Sequence, residues 1–189
     1  MEKLTRKIQE EAYIIDNRIV KVDHFINHML DTKLVMDIGK EIAAHFQNAT
    51  KILTIEASGI AFSVATAVHL NNIPIVFARK QASLITTDHV YKANVYSFTK
   101  QVEKTVIVDK EFLKPTDKII IVDDFLATGN ALVGLVEIAK QSGAEIIGCG
   151  IVIEKGFQDG RQRIESLGIP VFSLAKISKI ENNTLEFER

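Results

Sequence analysis

Residues 119–131 read IIIVDDFLATGNA. A run of apolar β-forming residues leads into two adjacent carboxylates, Asp123 and Asp124. A short apolar bridge follows, then Thr128, Gly129 and Asn130, then a helical pattern. An unbroken apolar run of this kind reads as a buried parallel strand. Ligands of open α/β sheets sit at the carboxyl ends of such strands. The small-residue loop can present backbone N–H groups and a hydroxyl to a phosphate, helped by the helix N-terminus behind it. The two acids cannot hold that same phosphate, because like charges repel. They suit the hydroxyl donors of a sugar, or a metal ion. A phosphate site and a polyol site a few residues apart describe a phosphorylated sugar. Taken alone, the acids also fit the acidic strand end of another doubly wound fold, such as a receiver domain. The loop is what separates the two readings.

A second anion-friendly turn lies in Ile55, Glu56, Ala57, Ser58, Gly59 and Ile60. A strand stops there and a helix starts at once. Gly59 allows close backbone approach, and the helix N-terminus favours negative charge. The plain alternative is a helix cap made by Ser58. Arg79 and Lys80 directly follow a further apolar run, 75–78, so they too belong at the carboxyl edge of a sheet. Two cations there would stabilise a departing anionic group. Such a dipeptide is otherwise an ordinary solvated basic pair.

The elements that must position these groups alternate. Helices are expected at 33–48, 58–71, 130–142 and 159–167, and strands at 51–55, 75–78, 105–108, 119–122, 146–153 and 171–174. Gly143 and Gly168 close the last two helices. Residues 80–100 are polar with weak periodicity, and read as a long excursion with hairpin strands at its base. Excursions of this length are often functional lids. Repeated βα units predict a mostly parallel sheet with helices on both faces. There is no internal repeat and no linker, so a single domain over 1–189 is expected.

Composition narrows the partners. Lys and Arg number 23 against 24 Asp and Glu, so no basic excess points to nucleic acid. No apolar segment approaches membrane-spanning length, so no membrane partner is expected. The charged, amphipathic start MEKLTRKIQEEAYII is not a secretory signal. The one cysteine, Cys149, cannot form an internal disulfide, which suits a reducing, cytoplasmic setting.

The 119–131 stretch resembles the binding motif for 5-phosphoribosyl 1-pyrophosphate (PRPP) of type I phosphoribosyltransferases. The resemblance implies that Asp123 and Asp124 hold the ribose hydroxyls and that Ala127, Thr128, Gly129, Asn130 and Ala131 hold the 5′-phosphate. Many members carry Thr where this chain has Ala131, so one hydroxyl is missing. Residues 56–59 are similar to the pyrophosphate loop of purine phosphoribosyltransferases, with Ser58 in place of an Arg. The family carries an Arg-Lys pair at the place of Arg79 and Lys80, before a mobile catalytic loop. The resemblance therefore implies the type I α/β fold with a small N-terminal hood, Mg²⁺ arriving as the PRPP complex rather than at a dedicated protein site, and a homodimer.

Nearly the whole chain is similar to the bacterial xanthine phosphoribosyltransferases. The matching residues include Lys21 to Asp23, Asn27, His28, Glu56 to Ile60, Phe77 to Lys80, Tyr96 to Lys100, Ile121 to Ala127, Ile151 to Lys155, and Phe157. This implies purine salvage, with xanthine and PRPP as substrates and Val20, Asn27, Lys155 and Phe157 at the base. A lysine ammonium only donates, so it suits a carbonyl at C6 and repels an amine there. Asn27 offers both a donor and an acceptor, and Phe157 can cover a ring face. The local alternatives are a Lys155–Glu154 pair, Asn27 as a turn residue, and Phe157 in the core. The same chemistry on adenine, guanine or hypoxanthine remains open. So does a non-enzymatic PRPP sensor, although the stretch before the first core strand looks too short and insufficiently basic for a DNA-binding domain.

Overall fold

The computed structural model describes residues 1–80, 89–97 and 102–188. Helix α1 (Glu2–Glu11) is followed by a small hairpin, β1 (Tyr13–Ile15) and β2 (Ile19–Lys21), turned at Asp16 and Asn17 with φ of 52° and 50°. Helix α2 (Thr32–His45) starts where Asp31 accepts the Leu34 N–H at 3.1 Å. Then come β3 (Lys51–Ile55), α3 (Gly59–Val68) and β4 (Ile75–Ala78). An antiparallel hairpin, β5 (Val90–Ser97) and β6 (Val102–Asp109), follows. The chain ends with β7 (Lys118–Leu126), α4 (Asn130–Ser142), β8 (Glu145–Lys155), α5 (Gly160–Glu165), β9 (Val171–Glu181) and β10 (Thr184–Phe187).

The main sheet has six strands in the order β10-β9-β8-β7-β3-β4, parallel except for β10. Side chains alternate across a strand, so β7 feeds two cores. Ile120 and Val122 join the cluster of α1, α2 and α3, while Ile119 and Ile121 join that of α4 and the β5–β6 hairpin. All four are fully buried, which is why the run carries no polar residue before Asp123.

Register opens the site. β3 pairs with β7 only as far as Leu53↔Ile121, whereas β8 follows β7 on to Leu126↔Glu154. Beyond Ile121 one flank of β7 is therefore released, and the acids lie along that released edge.

Several expectations need correction. Asp123 and Asp124 lie within β7 rather than after it, because pairing with β8 continues past them. The second expected helix, 58–71, ends at Val68, and Asn71 and Asn72 turn the chain with φ of 57° and 58°. The expected strand at 171–174 runs on to Glu181 and returns as β10 through Asn182 and Asn183. The expected helix at 159–167 is shorter, Gly160–Glu165. Within the excursion, 90–97 is the strand β5; the remainder assigned to a catalytic loop, 81–88 and 98–100, lies outside the described residues. No described helix is long and apolar enough to cross a membrane.

Candidate active site

The acids, the small-residue loop and the end of β3 meet at one cleft of about 260 Å³. Asp123 and Asp124 line it from β7, and Ala127, Thr128, Gly129, Asn130 and Ala131 line it at the start of α4. Glu56 and Ser58 border it from the turn after β3, and Lys80 from the end of β4. Topology alone brings these segments together: β3, β4 and β7 are parallel, so all three present their carboxyl ends on one side.

The acidic pair is tightly constrained. Asp123 is 4% exposed, and one of its oxygens accepts the Asp124 N–H at 3.0 Å. Asp124 in turn accepts the Phe125 N–H at 3.0 Å. Burial pushes the Asp123 carboxyl well above its ordinary range, and the neighbouring Asp124 charge adds to the effect. Lys80 works against it. A group that donates hydrogen bonds, or a cation brought with a ligand, would relieve this crowding. Cys149, on the neighbouring strand, has its thiol pushed up to about 12 by burial and the Asp123 charge, and is inert at neutral pH.

Gly59 explains how α3 comes so close to the acids. A Cβ there would stand 2.2 Å from the Thr54 hydroxyl oxygen and 3.2 Å from an Asp123 carboxylate oxygen. That hydroxyl donates to the Val122 carbonyl at 2.7 Å and is fully buried, so it cannot move aside freely. Gly59→Ala should therefore lower the melting temperature by several degrees, since overpacking costs roughly 1–3 kcal/mol. An unchanged melt would show that the Thr54 contact relaxes without cost. Ser58 stands at the N-cap position but makes no capping bond with its side chain, so the simple cap reading does not hold.

Glu56 does more than border the cleft. Its N–H donates to Ala78 O at 3.2 Å, and its carboxylate accepts the Lys80 N–H at 2.7 Å. The other carboxylate oxygen is 3.8 Å from Arg79 Nε. It thus clamps the ends of β3 and β4 where the two cations emerge. The two cations part company there. Lys80 lines the cleft, whereas Arg79 does not and its side chain is 69% exposed. The Arg79 backbone is held in place by a reciprocal pair of hydrogen bonds with Ile107, each 3.0 Å.

The four residues expected at a base do not line this cleft. Val20 is buried in β2. Lys155 ends β8 and donates to the Arg18 carbonyl at 2.8 Å, so it ties the sheet to the hairpin that carries Val20. Burial, then the charge of Arg18, lowers its pKa. Asn27 is exposed and donates to an Asp23 carboxylate at 3.1 Å, as a turn residue does. Phe157 is 46% exposed and is not part of the core. Lys155 does not pair with Glu154. Neighbours on a strand face opposite ways. Glu154 is 1% exposed and bonds instead to Arg161 at 2.8 and 2.6 Å and to Ser173.

This α/β sheet, with an acidic pair and a phosphate-type loop at its carboxyl edge, is the type I phosphoribosyltransferase architecture. The chain belongs to the phosphoribosyl transferase family: residues 21–183 match the phosphoribosyl transferase domain. It is 48% identical to a xanthine phosphoribosyltransferase of Bacillus licheniformis, over 99% of this chain and 97% of that one. It is 47% identical to a xanthine phosphoribosyltransferase of Clostridium tetani, over the full length of both. Among solved structures, it is similar to adenine phosphoribosyl transferase from Trypanosoma brucei in complex with AMP, pyrophosphate and ribose-5-phosphate, with a TM-score of 0.76 at 17% identity, covering 96% of this chain and 82% of that one. An adenine phosphoribosyltransferase from Giardia lamblia gives 0.75 at 20% identity, covering 91% and 97%. At these identities the structural likeness speaks for the fold.

Proposed function

We propose that this chain is a purine-salvage enzyme that transfers the phosphoribosyl group of PRPP to xanthine, giving xanthosine 5′-monophosphate and pyrophosphate. The observation that carries the transfer is the meeting of Asp123, Asp124 and the 127–131 loop in one cleft, with Lys80 and the turn after β3 on its border. The base choice is supported by the full-length relatives and by the chemistry of Lys155.

The acids take the ribose hydroxyls as hydrogen-bond donors, and the loop takes the 5′-phosphate. The turn at Glu56, Ala57, Ser58 and Gly59 takes the pyrophosphate, with Lys80 and Arg79 supplying the positive charge that Ser58 does not. The acids give hard oxygen donors beside the sugar, which suits Mg²⁺ delivered with PRPP and bound through few protein oxygens. When bound, Mg²⁺ neutralises the diphosphate. The bond from C1′ to pyrophosphate stretches and its electron pair leaves with pyrophosphate, giving an oxocarbenium-like carbon; a purine ring nitrogen attacks from the opposite face and gives up its N–H proton. The chain contributes positioning and charge stabilisation rather than covalent chemistry. Val20, Asn27, Lys155 and Phe157 form the base end, with the Lys155 ammonium donating to the C6 carbonyl.

The reading puts the enzyme in the cytoplasm as a single-domain subunit of a homodimer. Support for the dimer comes from one face: Val64 and Val68 on α3 and Phe77 on the edge strand β4 are each more than 40% exposed. α3 and β4 are neighbouring elements, and exposed apolar side chains on both suit an interface.

A purine panel tests the proposal. With Mg²⁺-PRPP and each base in turn, pyrophosphate release should be fastest with xanthine, weaker with guanine or hypoxanthine, and absent with adenine. Efficient turnover of adenine with none of xanthine would refute the base assignment. Release with no purine at all would refute the transfer.

A further inference from the structure

We propose that Arg163 is a positioning residue for the sugar phosphate: it braces the 127–131 loop from behind, so that the loop's N–H groups face the cleft. The proposal rests on the reading of that loop as the 5′-phosphate site. Arg163 lies on α5, about thirty residues further along the chain, and does not line the cleft. Its guanidinium donates through Nη1 to the Thr128 carbonyl and, at 2.8 Å, to Asn130 Oδ1. One turn earlier, the Gly160 N–H donates to the Ala127 carbonyl at 3.1 Å.

Peptide geometry turns these contacts into an orientation. The C=O and N–H of one planar trans peptide point in opposite directions. Pulling the Ala127 carbonyl toward Gly160 aims the Thr128 N–H the other way. Pulling the Thr128 carbonyl toward Arg163 does the same for the Gly129 N–H. Both residues line the cleft, whereas Arg163 does not. The loop lies directly on the backbone of α5. A Cβ on Gly160 would come 2.2 Å from the Ala127 carbonyl oxygen and 3.0 Å from Gly129 N. Gly129, with φ of +78°, faces it: a Cβ there would come 3.1 Å from Gly160 Cα.

The same short helix is anchored on its other side. Arg161 is bound to the buried Glu154 carboxylate and to the Val171 carbonyl. The brace is therefore fixed to β8 and β9 and does not float with the loop. Because Ala131 offers no hydroxyl, the loop depends more heavily on backbone donors, and so on the group that orients them. The guanidinium charge behind the loop also favours a phosphate in front of it.

The experiment uses two inhibitors competing with PRPP: ribose 5-phosphate, which needs the 127–131 loop, and magnesium pyrophosphate, which needs the turn after β3. Arg163→Ala should raise the inhibition constant of ribose 5-phosphate about tenfold and leave that of pyrophosphate within about twofold. Arg163→Lys, which keeps the charge and a donor, should restore most of the loss. If Arg163→Ala does not fold, Arg163→Gln carries the same test. An unchanged ribose 5-phosphate constant, a parallel rise of both constants, or failure of the lysine variant to restore binding overturns the proposal. Asp124→Asn separates the two levels. If it weakens PRPP use while Arg163→Ala does not, the brace alone is wrong. If neither variant has any effect, the reading of the cleft is wrong as well.

Discussion

Asp123→Asn should lose at least about tenfold in kcat/KM for PRPP and, without ligand, should melt at a higher temperature than the wild type at neutral pH. The two effects share one cause. Asp123 is nearly fully buried, touches the Asp124 N–H, and has its carboxyl pushed well above the ordinary value of 3.8 by burial and by the Asp124 charge. The folded chain therefore binds the proton more tightly than the unfolded chain does. Where the folded state holds more protons, stability falls as pH rises. That window opens near the unfolded value of 3.8 and closes at the raised folded value, so the full penalty stands above it. An asparagine carries no charge at any pH and escapes the penalty. Relief of about 1 kcal/mol corresponds to roughly 2–4 °C in a chain of this size. The variant's advantage should shrink on going from pH 8 to acid, where the wild-type carboxyl takes up its proton.

The activity loss follows from the ribose-holding role proposed for the charge. Hydrogen bonds from the ribose hydroxyls to a carboxylate are charge-assisted, and losing one costs about 1.5–3 kcal/mol, which is tenfold or more in kcat/KM. Asp124→Asn should show a similar loss. Thermal melts at two pH values, together with steady-state kinetics, check both halves. Wild-type kinetics in both variants would make the pair structural. A lower melt at every pH would mean that the buried charge is compensated in the free protein.

The parts of this site that could be read in the sequence are the contiguous ones. The strand β7, its acids and the 127–131 loop lie within fourteen residues, and each has a local reason for its residue types. The apolar run must be apolar because it feeds two cores. The turn after β3 was readable for the same reason, although the missing side-chain cap at Ser58 was not, since a hydroxyl at that position need not make the bond. Other parts leave no local trace. The β1–β2 hairpin has strands of three residues, too short for an alternation to register. The extension of β9 reads AKISKIE, with no clean two-residue alternation, and β10 pairs with it only through a turn at Asn182 and Asn183. The brace of Arg163 on Asn130 joins positions 33 residues apart, and nothing in either segment alone demands it. The same holds for Lys155 on the Arg18 carbonyl, 137 residues away.

Mixing two inactive variants should return about a quarter of the wild-type activity. The reasoning starts from the uneven fate of the two cations. Lys80 lines the cleft, but the Arg79 side chain is exposed and paired only loosely with Glu56. If the turn after β3 takes the pyrophosphate as proposed, Ser58 leaves it without a cation of its own. If the exposed α3–β4 face joins two subunits, Arg79 at the end of β4 stands beside that seam and can serve the partner's cleft. Under two-fold symmetry each subunit would then lend its Arg79 to the other. An Arg79→Ala chain and an Asp123→Asn/Asp124→Asn chain should each be nearly inactive alone. After joint unfolding and refolding at equal amounts, half of the dimers are mixed. In each mixed dimer one cleft combines intact acids with an intact Arg79, and the other has neither. Half of the dimers with one working site of two gives about a quarter. Differently tagged chains, captured in tandem, report whether mixed dimers have formed. If they form and no activity returns, Arg79 works within its own subunit or not at all, and the positive charge proposed for the turn after β3 must come from Lys80 alone.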